Sequence, residues 1–257
     1  TDLTDELTFL AGIDYRGYTG IHFTEVTDLL GGQYFLDNSN KNNQNHLAQV
    51  GDRILYDNDG LVDWLGGFTQ LEYSKNDISA FVSLNLSNTS YQRVDRFLYL
   101  DSDPLQTSAK YSFTGFGSKG GVNYNINEVH GVFANIGYFE RAPFFNAVFA
   151  NRNNVDVNND APNQKITSYE LGYTFRSAKL TGNLNVYRTN WNDRSESLRF
   201  QQIDGTQAFA NILGVNAIHQ GVELDFTYRA TDKLKITGMA SLGDWRWAND
   251  VEDVQIF

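Results

Sequence analysis

The sequence predicts an all-β protein: an antiparallel up-and-down transmembrane β-barrel of which about nine strands are visible. Three features predict this fold: short turns at regular intervals, alternating apolar and polar residues beside each turn, and long polar stretches between them. The turns are centred on Lys75, Asn127, Ser177 and Asp232, which lie 50 to 55 residues apart. In outer-membrane barrels, short turns lie on the periplasmic side and long loops lie outside.

The hairpin around Ser177 shows the alternation most clearly. Before the turn, Leu171 and Tyr173 alternate with Glu170 and Gly172, and the arm after the turn keeps the same period of two. The other hairpins repeat this pattern, and one further strand opens the chain. We therefore expect strands at 5–18, 64–74, 78–93, 115–125, 130–140, 165–176, 179–190, 217–229 and 234–247.

Strands with one apolar face suit either a soluble sandwich or a membrane barrel. The barrel is favoured because the opposite face carries Asn, Asp, Glu and Thr, and because aromatic residues such as Trp191 and Trp245 stand near strand ends. Loops of roughly 20 to 40 residues on one side only are also unusual in a compact soluble domain. The alternatives are a passive outer-membrane porin or channel and a soluble all-β carbohydrate-binding domain.

Composition and motifs point away from catalysis. The chain has no cysteine, and its formal net charge of -11 argues against a nucleic-acid partner. The four histidines are scattered and show no metal-ligand spacing, and no nucleophile elbow or phosphate loop is present. We expect no enzymatic activity, no catalytic residue, no metal site and no cofactor.

An odd number of strands is unusual for a bacterial barrel, and open edges in lipid are costly. We therefore expect residues 1–257 to be part of one outer-membrane β-barrel domain, with the plug domain and the closing strands not present in this chain. Phe257 follows a charged, loop-like stretch, so it is not expected to end a closing strand.

Three motifs resemble a known family. Gly137–Phe144 (GYFERAPF) is similar to the segment of TonB-dependent outer-membrane receptors that contains Arg-Ala-Pro. Ser168–Gly172 (SYELG) resembles the strand that follows it in the family. Asn211, followed by Gln220–Leu224 (QGVEL), resembles a later strand. The motifs occur in family order, and the resemblance covers most of residues 61–247.

The resemblance implies a 22-stranded barrel with an N-terminal plug, in the outer membrane of a Gram-negative bacterium. Such a receptor binds a scarce extracellular ligand and imports it with TonB-coupled energy. The implied partners are outer-membrane lipid, the TonB energy-transducing complex acting through the absent plug, a surface lipoprotein, and a ligand such as a siderophore, saccharide or peptide.

The motif residues have physical interpretations of their own. Pro143 should end strand pairing because it lacks an N–H group. Arg141, at the strand end, should pair with a lumen carboxylate such as Glu170. The residues expected to have structural roles are Arg141, Ala142, Pro143, Glu170, Gly172, Gly221 and Glu223.

The sequence does not identify the ligand-binding residues, since ligand contacts come from variable loops. Aromatic loop side chains could stack on a ligand or pack the loops together. The segment around Asp57 and Asp59 is expected to form a turn stabilised by its own side chains rather than a calcium site. The candidate ligand-binding residues are Tyr34, Phe97, Tyr99, Phe144, Phe145 and Phe149.

Overall fold

The structure, a computed structural model, describes residues 1–201, 203, 205, 207–251 and 254–256. Nine strands of 12 or more residues occur within this part of the chain. They are β2 (Leu7–Glu25), β5 (Arg53–Lys75), β6 (Ile78–Asp95), β7 (Tyr111–Asn125), β8 (His130–Arg141), β9 (Gln164–Arg176), β10 (Leu180–Gln201), β11 (Gln207–Thr231) and β12 (Leu234–Trp247).

The remaining regular elements are short. A four-residue helix, α1, spans Phe145–Val148, and a 3₁₀ turn spans Pro104–Gln106. No helix in the described part of the chain is long and apolar enough to cross a membrane. The short strands are β1 (Asp2–Thr4), β3 (Phe35–Asp37), β4 (His46–Ala48) and β13 (Val254–Ile256).

The long strands form one antiparallel sheet in chain order, β2-β5-β6-β7-β8-β9-β10-β11-β12. β1 extends the sheet beside β2, β13 pairs with β11, and β3 and β4 form a separate hairpin. The order ends at β12, so the sheet is open along its two edges. The predicted all-β class and the nine predicted strands are confirmed.

Short turns join the strands at one end of the sheet, which we call the turn end. β5 and β6 are paired up to Lys75 and Ile78, so only Asn76 and Asp77 form their connection. Asn76 has a φ of 51°, a left-handed conformation that Asn tolerates because its side chain can bond locally. The opposite end carries the long connections and is called the loop end.

The two faces of the sheet differ in chemistry, as the alternation predicts. The apolar face presents a band of aliphatic side chains that no other described part of the chain covers, and the polar face presents amides, carboxylates and hydroxyls. Leu171 is 64% exposed, although burial of a leucine side chain is worth about 1.5–3 kcal/mol. The other exposed members of the apolar band include Leu84, Val122, Ile136, Leu184, Leu224 and Ile236.

Several strands extend further toward the loop end than the sequence predicts. β5 begins at Arg53 rather than at residue 64, and β11 begins at Gln207 rather than at residue 217. The prediction of a turn at Asp57 and Asp59 is wrong, because both lie in β5, where Asp57 pairs with β2 and Asp59 pairs with β2 and β6. Apolar residues in these extensions occur in runs, such as Ile54–Tyr56 and Ala208–Ala210, rather than in alternation with polar ones, so periodicity could not mark them. Phe257, expected not to end a closing strand, lies outside the described residues.

The first prediction concerns sidedness. Single cysteines in the full-length protein at 75, 127, 177 and 232 should resist an impermeant thiol reagent on intact cells, because we expect the turn end to face the periplasm. Cysteines at 40, 101 and 153 should react, because they lie in the long connections at the loop end. Labelling of the turn set without the loop set would reverse the topology.

The second prediction concerns the apolar face. Ile236→Arg should lower the free energy of unfolding of the full-length protein in lipid vesicles by about 2–4 kcal/mol, because Ile236 faces hydrocarbon. Thr237→Arg is the matched control, since Thr237 follows Ile236 in β12, lies on the opposite face and is exposed. Equal losses for the two variants would contradict the assignment of the faces.

Candidate functional site at the loop end

The connection between β8 and β9, residues 142–163, folds over the polar face of the sheet. Its Val148 and Phe149 are buried against Tyr91 of β6. The Tyr91 hydroxyl donates a hydrogen bond of 2.8 Å to the carbonyl oxygen of Pro143. The sheet therefore carries a small hydrophobic core at its loop end, and this core holds the connection in place.

Two phenylalanines extend this core toward β5. Phe145 and Phe149 have ring centroids 4.7 Å apart, and Tyr91 meets Phe145 edge-on at 5.6 Å. Gly60 lies beneath Phe145, and a Cβ atom at Gly60 would stand 3.2 Å from its ring. The absence of a side chain at Gly60 thus lets the connection approach the backbone of β5 closely.

A buried ion pair lies beside the aromatic cluster. Arg93 and Asp95 are only 5% and 4% exposed, and Arg93 Nη2 lies 2.6 Å from Asp95 Oδ2. The second Asp95 oxygen accepts hydrogen bonds from the backbone N–H groups of Phe97 and Leu98. Because both charges are partnered, their burial is tolerated, and the chain after β6 is fixed in direction.

Asn154 links the two connections at the loop end. Its Oδ1 accepts a hydrogen bond of 2.9 Å from Arg93 Nη1, and its Nδ2 donates to the carbonyl oxygens of Leu105 and Gln106. The backbone N–H of Asn154 donates to the Tyr99 hydroxyl at 3.0 Å. Asn154 is 4% exposed. One side chain therefore ties residues 142–163 to β6 and to the connection that follows it.

A second charged cluster lies at the start of β5. Arg53 donates to both carboxylate oxygens of Asp57 at 2.8–2.9 Å, and Arg96 is paired with Asp57 and Asp59. The hydrogen bond with Asp59 raises the pKa of the Arg96 guanidinium, so it stays charged. These carboxylates are already bound by arginines, and no group of three or more His, Asp or Glu side chains in the described residues could hold a metal ion.

These elements enclose a cavity of about 430 Å³ at the loop end. Side chains from β2, β5, β6 and the connections that follow β2, β6 and β8 contribute to its wall. Aromatic, amide and charged groups line it together, which is the mixture that small-molecule sites usually present. Its lining includes His22, Tyr56, Asn58, Phe97, Phe145 and Arg152.

The six candidate aromatic residues do not form one site in the structure. Phe97, Phe145 and Phe149 line the cavity, while Tyr99 is buried and bonded to Asn154. Tyr34 and Phe144 are exposed outside the cavity lining, and the Arg141 guanidinium lies 4.5 Å from the Phe144 ring. A role in ligand binding stays a prediction for all six. Tyr56 also lines the cavity but is not among the six candidates, because the sequence marked its neighbourhood only as a turn at Asp57 and Asp59.

The expected pairing of Arg141 with Glu170 is wrong. β8 and β9 are in a register that places Arg141 beside Gln164 and Asn135 beside Glu170. Glu170 instead accepts a hydrogen bond of 2.9 Å from Asn135 Nδ2. Strand register, which alternation alone does not give, decides which partners meet.

The other motif residues lie where backbones or rings come close. β8 ends at Arg141, so pairing stops before Ala142 and Pro143, as expected. The Phe133 ring lies over Gly172, where a Cβ atom would clash with it. A Cβ atom at Gly221 would lie 2.5 Å from the Leu242 carbonyl oxygen. Glu223 lies opposite Asn185 and Ser241 on the polar face.

The third prediction tests the Asn154 link. Asn154→Ala should destabilise the loop end by about 1–3 kcal/mol, because buried hydrogen-bonding groups lose their partner. Limited proteolysis of the full-length protein should then cut residues 142–163 faster. Asn153→Ala is the matched control, since Asn153 forms its hydrogen bonds within the described residues with Val155 and Asp156 of its own loop. Equal cleavage rates in both variants would mean that the link does not hold the loop.

Comparison with known proteins identifies the family. Residues 1–254 match the family described as TonB dependent receptor-like, beta-barrel. No curated protein matches the chain. Among solved structures, the copper transporter OprC is similar with a TM-score of 0.69 at 15% identity, covering 95% of this chain and 36% of its own.

Two iron-related receptors have the same fold. The ferric-catecholate import receptor Fiu from E. coli K12 gives a TM-score of 0.63 at 14% identity, covering 95% of this chain and 35% of its own. BauA, the ferric preacinetobactin receptor from Acinetobacter baumannii, gives 0.56 at 13%, covering 95% and 34%. The chain thus spans about a third of the length of each of these structures.

These matches confirm the resemblance seen in the three motifs. The family match assigns the sheet to the receptor-like β-barrels of the Gram-negative outer membrane. The apolar face is accordingly the lipid face, the polar face lines the lumen, and the turn and loop ends are periplasmic and extracellular. The chain belongs to the TonB-dependent receptor-like β-barrel family.

Proposed function

We propose that the chain forms part of the wall of an outer-membrane receptor that binds a small organic ligand from outside and imports it with TonB-coupled energy. The observation that carries this proposal is the cavity of about 430 Å³, which opens among the extracellular connections on the lumen side of the sheet. A pocket at this position would meet a ligand before any passage through the lumen.

The cavity lining suggests the ligand class. Tyr56 is 45% exposed and Leu55 is 55% exposed, so both offer apolar surface to an incoming molecule. Asn58, His22 and Arg152 supply polar groups beside them. This combination suits a ligand with rings and polar substituents, such as a siderophore, a saccharide or a short peptide.

The rest of the barrel would complete the receptor. We propose that residues 1–257 belong to one barrel domain whose remaining strands and plug lie in other parts of the protein. The chain covers 34–36% of the structures it resembles, which supports this division. TonB would act through the plug. Contact with a surface lipoprotein stays a prediction, and the exposed Leu36 and Leu47 of the β3-β4 hairpin offer it a surface.

A passive porin is the competing function, and energy coupling separates the two. In cells making the full-length protein, uptake of the labelled ligand should stop when TonB is deleted or the proton gradient is collapsed. Ligand binding to intact cells should persist, because binding precedes the energised step. Uptake that continues unchanged without TonB would indicate a porin.

The fourth prediction tests the cavity. Tyr56→Ala should weaken ligand binding roughly threefold to tenfold, because one exposed aromatic contact in the cavity is lost. Tyr34→Ala is the control, since Tyr34 is similarly exposed at 49% but lies outside the lining. Binding of siderophore, oligosaccharide and peptide panels to cells would measure this. Weaker binding in Tyr34→Ala alone would move the site to the loop tip.

A further inference from the structure

A group of five cations lies at the periplasmic end of the sheet, on the two turns that join β9 to β10 and β11 to β12. We call this group the basic corner; it consists of Arg176, Lys179, Arg229, Lys233 and Lys235. All five side chains are exposed. They make up a quarter of the 20 lysines and arginines in a chain whose formal net charge is -11. This concentration of positive charge is therefore a local feature.

Three of these cations form a row across neighbouring strands. The backbone N–H of Arg229 donates to the Lys179 carbonyl oxygen at 2.8 Å, and Arg229 is the direct cross-strand partner of Lys235. Neighbouring strands are about 5 Å apart. Like charges that face each other across a sheet repel, so this row destabilises the protein unless something neutralises it.

The structure supplies no such neutralising group within the described residues. Nine other lysines and arginines are paired with carboxylates, and Lys75, on a neighbouring periplasmic turn, lies 2.6 Å from Glu6. None of the basic-corner side chains has an ion pair or a ring contact in this part of the chain. A single carboxylate, that of Asp232, lies in the same two turns.

The position of the row indicates what could approach it. Leu180, Tyr228 and Ile236, the neighbours of the three cations along their strands, belong to the lipid face, so alternation directs Lys179, Arg229 and Lys235 toward the lumen. The two turns also border a concave space of about 670 Å³. The row is thus turned away from lipid headgroups and lies at the periplasmic end of the lumen.

We propose that the basic corner is a docking surface for an acidic polypeptide segment of a periplasmic partner protein. Carboxylates in such a segment would neutralise the row and form exposed ion pairs with it. Because the ion pairs are exposed, each contributes modestly to the free energy of binding. The contact should therefore be weak, fast to form and sensitive to salt. The proposal does not depend on which ligand the extracellular cavity takes.

The fifth prediction tests this surface with the full-length protein in lipid nanodiscs and a fluorescent peptide of eight glutamates. The variant K179Q/R229Q/K235Q should bind the peptide about tenfold more weakly than the parent at low salt, since three exposed ion pairs are lost. K179R/R229K/K235R, which preserves the charges, should bind like the parent. R188Q/R246Q removes two exposed cations near the extracellular end and should also bind like the parent.

Several outcomes would overturn the proposal. Binding that is absent in the parent, or equal in the parent and the glutamine variant, would leave the corner as a merely solvated surface. A glutamine variant that retains peptide binding but loses affinity for phosphatidylglycerol nanodiscs would identify the basic corner as a lipid contact.

Thermal unfolding provides the last check. The glutamine variant should be at least as stable as the parent, because repulsion is relieved, and a clear loss of stability would mean that an acidic segment of the same protein already occupies the corner.

Discussion

The pairing of every long strand with its neighbours is the constraint on which the rest of this structure depends. In hydrocarbon an unpaired backbone N–H or carbonyl group costs several kcal/mol, so a membrane-spanning sheet must keep its ladders continuous. From β5 to β9 the register runs without a shift, which keeps side-chain parity constant across five strands. A slip of one residue would exchange the two faces and place Glu170 in lipid and Leu171 in the lumen.

The same ladders carry the extracellular site. Beyond the apolar band, β5 and β6 continue as paired strands as far as Asn58 and Asp95. This rigid extension positions Tyr91 and Arg93 on one face, and the connection after β8 closes over them. The cavity wall is therefore built partly from strands, which hold side chains more firmly than loops do. The buried pair of Arg93 and Asp95 fixes the course of the chain after β6, because leaving either charge unpaired would cost several kcal/mol.

Sequence reasoning succeeded where one physical rule dominates. Lipid on one side and water on the other impose a period of two, so the membrane-spanning parts and the turns were predictable. The rule fails at the loop end, where both faces are wet and Asp57 could not be recognised as a strand residue. It also fails for pairs such as Asn135 with Glu170, because contacts depend on register. The Asn154 link joins residues 49 and 61 positions apart, and no local sequence pattern predicts it.

The charged side chains at the two ends of the sheet differ in whether they form ion pairs, and this difference follows from how each end is held together. At the extracellular end, Arg93, Arg96 and Lys110 each bind a carboxylate, so ion pairs hold the connections in one arrangement. At the periplasmic end, turns of two to four residues need no such support, because hairpin geometry alone fixes them. Lys75 is paired with Glu6 there, but the cations of the basic corner have no ion pair among the described residues. A cross-strand row of cations that repel one another is then difficult to attribute to folding, and an interaction with an anionic group from the periplasm accounts for it without any rearrangement of the strands.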